Sequence, residues 1–183
     1  MTGPVLPAPL RPIRRVVTGH DPAGRSVIVE DGPSPVVRTV EGRPGFVNTN
    51  VWRTVGGPTE IAAPDSIVDH EGVMPPAGGT VLRIIDYPPR PRDPEERRRQ
   101  ASASLNALFA DAAHASGHAK PGMHVTRSVD YAIVISGVVT AILEDGETDL
   151  HPGDVLIQRG TNHGWENRTD AMARIAFILV DGR

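Results

Sequence analysis

The sequence predicts an all-β barrel or sandwich built of many short strands, with a single helix between its two halves. Three observations carry this. Glycine and proline, 19 and 18 of the 183 residues, make up about a fifth of the chain, a proportion natural to short strands joined by turns. Apolar and polar residues alternate over short runs, the period of a strand with one buried face. Only the stretch after Tyr87 carries helix caps together with apolar residues at helical spacing.

Residues 1–12 are Pro-rich and read as a flexible or extended arm, leaving 13–183 as one domain. Residues 14–19 and 25–30 flank the turn His20-Asp21-Pro22-Ala23-Gly24 and predict a hairpin. Strands follow over 36–40 and 46–55, the second alternating β-branched residues with Asn48, Asn50 and Trp52. Residues 62–78 are irregular and broken by proline, and TVLRIIDY at 80–87 is a strand that stops at Pro88-Pro89. These N-terminal strands span 13–89. The helix is predicted over about 94–115: Asp93 caps it, Pro94 suits its first position, Glu95 and Glu96 suit its positive end, and Leu105, Leu108, Phe109 and Ala112 share a stripe. From Met123 onward the pattern is all strand. DYAIVIS at 130–136 ends at Gly137, 138–143 returns, and Glu144-Asp145-Gly146 turns into 148–150. Pro152-Gly153-Asp154 turns into 155–158, and 163–167 and 173–180 complete the chain. No internal repeat is visible.

The formal net charge is −3, with no basic stripe and no helix-turn-helix pattern, so nothing points to nucleic acid. The chain has no cysteine. Disulfides and thiolate metal sites are excluded, and a reducing cytoplasm is the expected compartment. No apolar run approaches the roughly 20 residues that cross a bilayer, and the N-terminus lacks the charge-then-apolar order of a signal peptide.

Two motifs lie in the last third. His124-Val125-Thr126 is followed after three residues by Asp130 and after six more by Gly137. Gly153 to Asn167 reads GDVLIQRGTNHGWEN, with Gln158 where proline is usual and one residue short before its loop. The pair resembles the two motifs of the cupin superfamily, His-x-His…Glu…Gly and Gly…Pro-x-Gly…His…Asn. Thr126 stands for the second histidine and Asp130 for the glutamate. The wider set, with TGHD at 18–21 and the VW dipeptide at 51–52, is similar to a subgroup of single-domain bacterial cupins, some of them in secondary-metabolite pathways. The resemblance implies a double-stranded β-helix, or jelly-roll barrel, whose conserved part is residues 122–181.

That fold brings His124, Asp130 and His163 into one pocket. Two imidazoles and a carboxylate are a ligand set for a divalent metal such as iron, zinc, manganese or nickel. Without a metal, a buried carboxylate beside histidines has a tunable pKa, so the same three residues serve as acid and base. Both readings stay open on the sequence. Thr126 and Trp165 are expected to contact substrate, since strand alternation puts them on the faces of His124 and His163. Asn50, Trp52 and Arg83 are further candidates. Arg83 would face a substrate carboxylate, or else pair with Asp86 or lie at the surface. Tyr131 points away from the pocket. His20, His70, His114 and His151 read as surface residues, as does His118, unless it reaches the barrel mouth.

The activity expected is a lyase or isomerase that dehydrates, decarboxylates or isomerises a small organic acid or secondary-metabolite intermediate. The alternatives are a non-haem iron(II) oxygenase and a ligand-binding cupin without catalysis. No nucleotide cofactor is expected. The chain is expected to pair as a homodimer through its N-terminal strands.

Overall fold

Two sheets face each other across the apolar core, and both feed one polar pocket between them. The computed structural model describes residues 6–112 and 122–183. Six strands form the larger sheet in the order β3 (Val36–Thr39), β4 (Val47–Thr54), β5 (Thr80–Tyr87), β11 (Ala173–Asp181), β6 (Ser128–Ser136) and β9 (Val155–Arg159). The smaller sheet runs β10 (His163–Glu166), β7 (Val139–Leu143), β8 (Glu147–Leu150). Neighbouring strands are antiparallel throughout. Ala132, Val134, Val139, Ala141, Ile175 and Leu179 pack between the sheets. This is the jelly-roll barrel expected from the motifs.

The expected hairpin is a separate two-stranded sheet, β1 (Arg14–His20) with β2 (Ser26–Pro33). Asp21 closes its turn, accepting from the amides of Ala23 and Arg25. Gly137 turns β6 into β7 at φ 70°. A Cβ there would come 2.7 Å from the Ala173 Cα, so this motif glycine is required by both dihedral and space.

Helix α1 runs Pro94–Leu108, with the Asp93 carboxylate accepting from the amides of Glu95 and Glu96 as its sequence predicts. It ends earlier than the expected residue 115. Phe109 leaves the helix and is buried, and the Asp111 carboxylate takes the amides of Val73 and Met74, drawing the chain toward the 70–74 loop. His114 and His118 lie outside the described residues.

Candidate functional site

Strand alternation sets the first wall of the site. On β6, Ser128, Asp130, Ala132 and Val134 are buried, while Val129, Tyr131 and Ile135 face outward. Thr126, just before β6, donates to Asp130 Oδ2 at 3.4 Å. Opposite, His124 and His163 exchange a reciprocal pair of backbone hydrogen bonds of 2.9 and 3.0 Å. Their rings lie 4.5 Å apart and tilted by 47°. Trp165 stands edge-on to both His163 and Phe177.

Both imidazoles are oriented from behind. His124 Nδ1 faces the carbonyl of Gly122 at 3.1 Å, and His163 Nδ1 faces that of Thr161 at 2.9 Å. A carbonyl only accepts, so each Nδ1 carries a proton, and in the neutral ring the lone pair is then on Nε2. Gln158 supports this. Where the usual motif has proline, its Nε2 donates to the same Thr161 carbonyl at 2.9 Å and to the Thr161 hydroxyl, closing the 159–162 loop.

Two chambers meet at a neck of Tyr87, Phe109, His124 and Trp165. The outer one, about 340 Å³, lies between α1, the proline-rich segment after β5 and the barrel mouth. The inner one, about 30 Å³, is lined by Asp130, His163, Thr126 and Arg83 among others. An organic molecule fits the first, whereas the second takes one water-sized group.

Arg83, one of the further candidates of the sequence, is placed in the site. It is 1% exposed on β5, on the face it shares with Ile85 and Tyr87. Nη2 donates to the Val73 carbonyl at 2.7 Å and meets His70 Nε2 at 3.2 Å; Nη1 reaches the Gly72 carbonyl at 3.5 Å. Among the described residues no carboxylate lies within ion-pair distance of it, and its Nε has no hydrogen-bond partner. The expected pairing with Asp86 is corrected. Asp86 lies three residues along, on the other face of β5, and stands opposite Arg174 in register, which grips it at 2.6 and 2.8 Å. Burial lowers Arg83 to about 10. Asp130 Oδ1 is likewise buried without a partner. Burial raises the Asp130 carboxyl, opposed by the hydroxyls of Ser128 and Thr126 and by the Arg83 charge. Burial also lowers His163.

Other expectations need correction. Asn50 and Trp52 line neither chamber. A bulge in β4 sets Asn50 opposite Arg83 but Trp52 opposite Leu82, on the other face, where its ring meets Arg15. Asn50 is buried and bonded to Asn48. His70, expected at the surface, is 2% exposed, and burial together with Arg83 and Arg53 lowers it to about 4. Tyr87 and Phe109 are site residues that the sequence reading missed. The signal for Tyr87 was present, since Arg83, Ile85 and Tyr87 alternate onto one face.

The metal-ligand set expected from the motifs is not assembled. Among the described residues no three His, Cys, Asp or Glu side chains are grouped to hold a metal ion. The two histidines come together. The aspartate is one methylene shorter than the usual glutamate, bonds Thr126, and shares the inner chamber with the buried cation Arg83, while Thr126 offers no imidazole. The described helices include none long and apolar enough to cross a membrane.

Comparison with known proteins bears on the family of the chain. The cupin domain profile matches residues 114–180. Phomopsin biosynthesis cluster protein C' of Diaporthe leptostromiformis is 31% identical over 183 residues, covering 95% of this chain and 81% of that protein. The cupin-domain-containing oxidoreductase fogC of Aspergillus ruber is 28% identical over 181 residues, covering 95% and 75%. These relatives are fungal, so the bacterial subgroup finds no support in them. Among solved structures, a cupin 2 conserved barrel domain protein from Salinispora arenicola matches 78% of this chain and 82% of its own, with a TM-score of 0.41 and 13% identity.

Proposed function

The chain belongs to the cupin domain family, and from that premise we propose that it is a small-molecule enzyme of secondary metabolism, a lyase or isomerase that works by acid–base chemistry on a small organic acid. The observation that carries the proposal is the division of labour around the neck. His124 borders both chambers with its lone pair on Nε2, and Asp130, a carboxyl raised by burial, lies in the inner chamber. A substrate held in the outer chamber meets His124 as general base, and Asp130 gives or takes the second proton. His163, lowered by burial, stays a neutral neighbour at the inner wall. Trp165 and Phe109 exclude water from the neck.

The test is solvent exchange at carbon. A panel of small hydroxy and keto acids is incubated in deuterium oxide and followed by NMR, with wild type and His124→Ala, each with and without chelator. Exchange that vanishes in the variant and survives chelation supports acid–base catalysis; exchange unchanged in the variant sinks it. The name of the fogC relative favours a second reading, an oxidoreductase. Activity lost on chelation, restored by iron(II) and accompanied by dioxygen uptake would decide for that one.

The remaining proposals concern context. The absence of cysteine supports a reducing, cytoplasmic setting. Pairing of two copies through the N-terminal hairpin is supported by three successive exposed apolar residues of β2, Val27, Ile28 and Val29, which leave both faces of that hairpin partly uncovered.

A further inference from the structure

We infer that the substrate is a hydroxy acid bound with its hydroxyl in the inner chamber, between Arg83 Nε and Asp130 Oδ1, and its carboxylate in the outer chamber against Arg43. The inference rests on the acid–base reading above and names its substrate class.

Two residues that line the inner chamber each carry a buried polar atom without a hydrogen-bond partner, and the Ser128 hydroxyl, which acts on the Asp130 carboxyl, is a third such group. Arg83 Nε is a donor and Asp130 Oδ1 an acceptor; both are buried and without partners. The two side chains line the same small chamber, yet they form no ion pair with each other. Leaving such groups buried and unmade is costly, and active sites are where that cost is tolerated. One oxygen between them would satisfy both. A hydroxyl does so in either protonation state of the carboxyl, because it accepts from Arg83 and can donate to or accept from Asp130. A carboxylate in the same place would face the Asp130 carboxylate whenever that group is ionised. The chamber volume, about 30 Å³, also suits a single hydroxyl.

The outer chamber supplies the complementary cation. Five arginines line it, and Arg90 pairs with Glu166, and Arg168 with Glu147 and Glu166, while Arg98, exposed on α1, has no carboxylate at ion-pair distance among the described residues and stands in solvent. Arg97 donates to the carbonyls of Pro91 and Arg92. Arg43 donates to the Ser104 hydroxyl and stacks on the rings of Phe46 and Tyr87. Among the described residues it has no carboxylate at ion-pair distance. Its guanidinium therefore keeps donors for a carboxylate. The neck at His124, Tyr87, Phe109 and Trp165 lies between the two anchors. Hydroxyl and carboxylate thus sit on well-separated carbons, which places the carbon skeleton beside the His124 imidazole.

Binding of three probes tests this without turnover: 6-hydroxyhexanoate, hexanoate and 1,6-hexanediol, measured by ligand-observed NMR titration on the full chain. The hydroxy acid is expected to bind about tenfold tighter than either of the others, the worth of one good hydrogen-bonded site. Arg83→Met should erase its advantage over hexanoate, and Arg43→Gln should erase its advantage over the diol. Arg83→Lys keeps the charge but lacks the Nε donor, and should also lose the advantage; it serves if the methionine variant does not fold. Equal affinity of the three probes, binding of none, or an advantage that survives both Arg83 variants would overturn the inference. The exchange assay on His124→Ala reads the acid–base proposal separately, so either can fail alone.

Discussion

The imidazoles of His124 and His163 lie 4.5 Å apart on backbones that hydrogen-bond reciprocally, and each ring is turned the same way by a carbonyl behind it. Main-chain groups therefore hold the pair together and orient both rings. Because only His124 borders both chambers, the two rings are not equivalent. Once a substrate is identified, His124→Ala should lower kcat about 10²- to 10⁴-fold, the usual contribution of a general base. His163→Ala should also abolish turnover, through loss of the inner wall. Circular dichroism should show both variants folded. Full activity in either would remove that residue from the proposed machinery.

Asp130 should act as the acid while it holds its proton. Burial raises its carboxyl, so the protonated form persists above the usual carboxylate range. Activity is then expected to decline as pH rises through the Asp130 value. Asp130→Ala should abolish turnover with the barrel intact, and Asp130→Asn should leave a residual rate that no longer has this limb. A limb that stays in the asparagine variant would assign it to another group.

His70 gives stability its own pH dependence. Its folded value is lowered to about 4 by burial, Arg83 and Arg53, while the unfolded chain titrates near 6.5. Between these values the unfolded state binds more protons, so this contribution is complete above about pH 6.5 and is lost as pH falls toward 4. The expected size is about 3 kcal/mol at most. His70→Gln keeps an acceptor for Arg83 but does not titrate, and should flatten that part of the stability curve measured by urea unfolding. An unchanged slope would show that His70 contributes nothing there.

The Asp86–Arg174 pair joins β5 to β11 in the larger sheet, and both side chains are nearly buried. Arg174 also donates to the Arg11 carbonyl, tying the N-terminal segment to the sheet. Asp86→Ala strands a buried guanidinium, so it should cost about 3–5 kcal/mol in chemical denaturation. A loss under about 1 kcal/mol would mean that the pair is solvated in solution.

Much of the site is legible in the sequence because it is encoded by strand period. Alternation in 128–136 fixes Asp130 inward and Tyr131 outward, and alternation in 163–166 puts His163 and Trp165 on one face. The Asp93 cap and the Asp21 turn are equally local, since each depends on its own backbone and the next few residues; for Gly137 only the positive φ is local, and the missing space is set by Ala173. Pattern says which face a residue takes. It does not name the partner waiting there.

Partners were decided by the tertiary structure. Arg83 reads in sequence as an arginine with an aspartate three residues on, but β11 brings Arg174 opposite that aspartate and leaves Arg83 among carbonyls of the 72–73 segment. A single bulge in β4 parts Asn50 from Trp52. Asp111 turns the chain after α1 toward the 70–74 loop, and Phe109 narrows the cavity to a neck. The sequence by itself determined the barrel and the inward set of His124, Asp130 and His163. Strand register and loop packing, which join residues dozens of positions apart, decided that the chamber they border also holds the buried Arg83 beside the expected carboxylate.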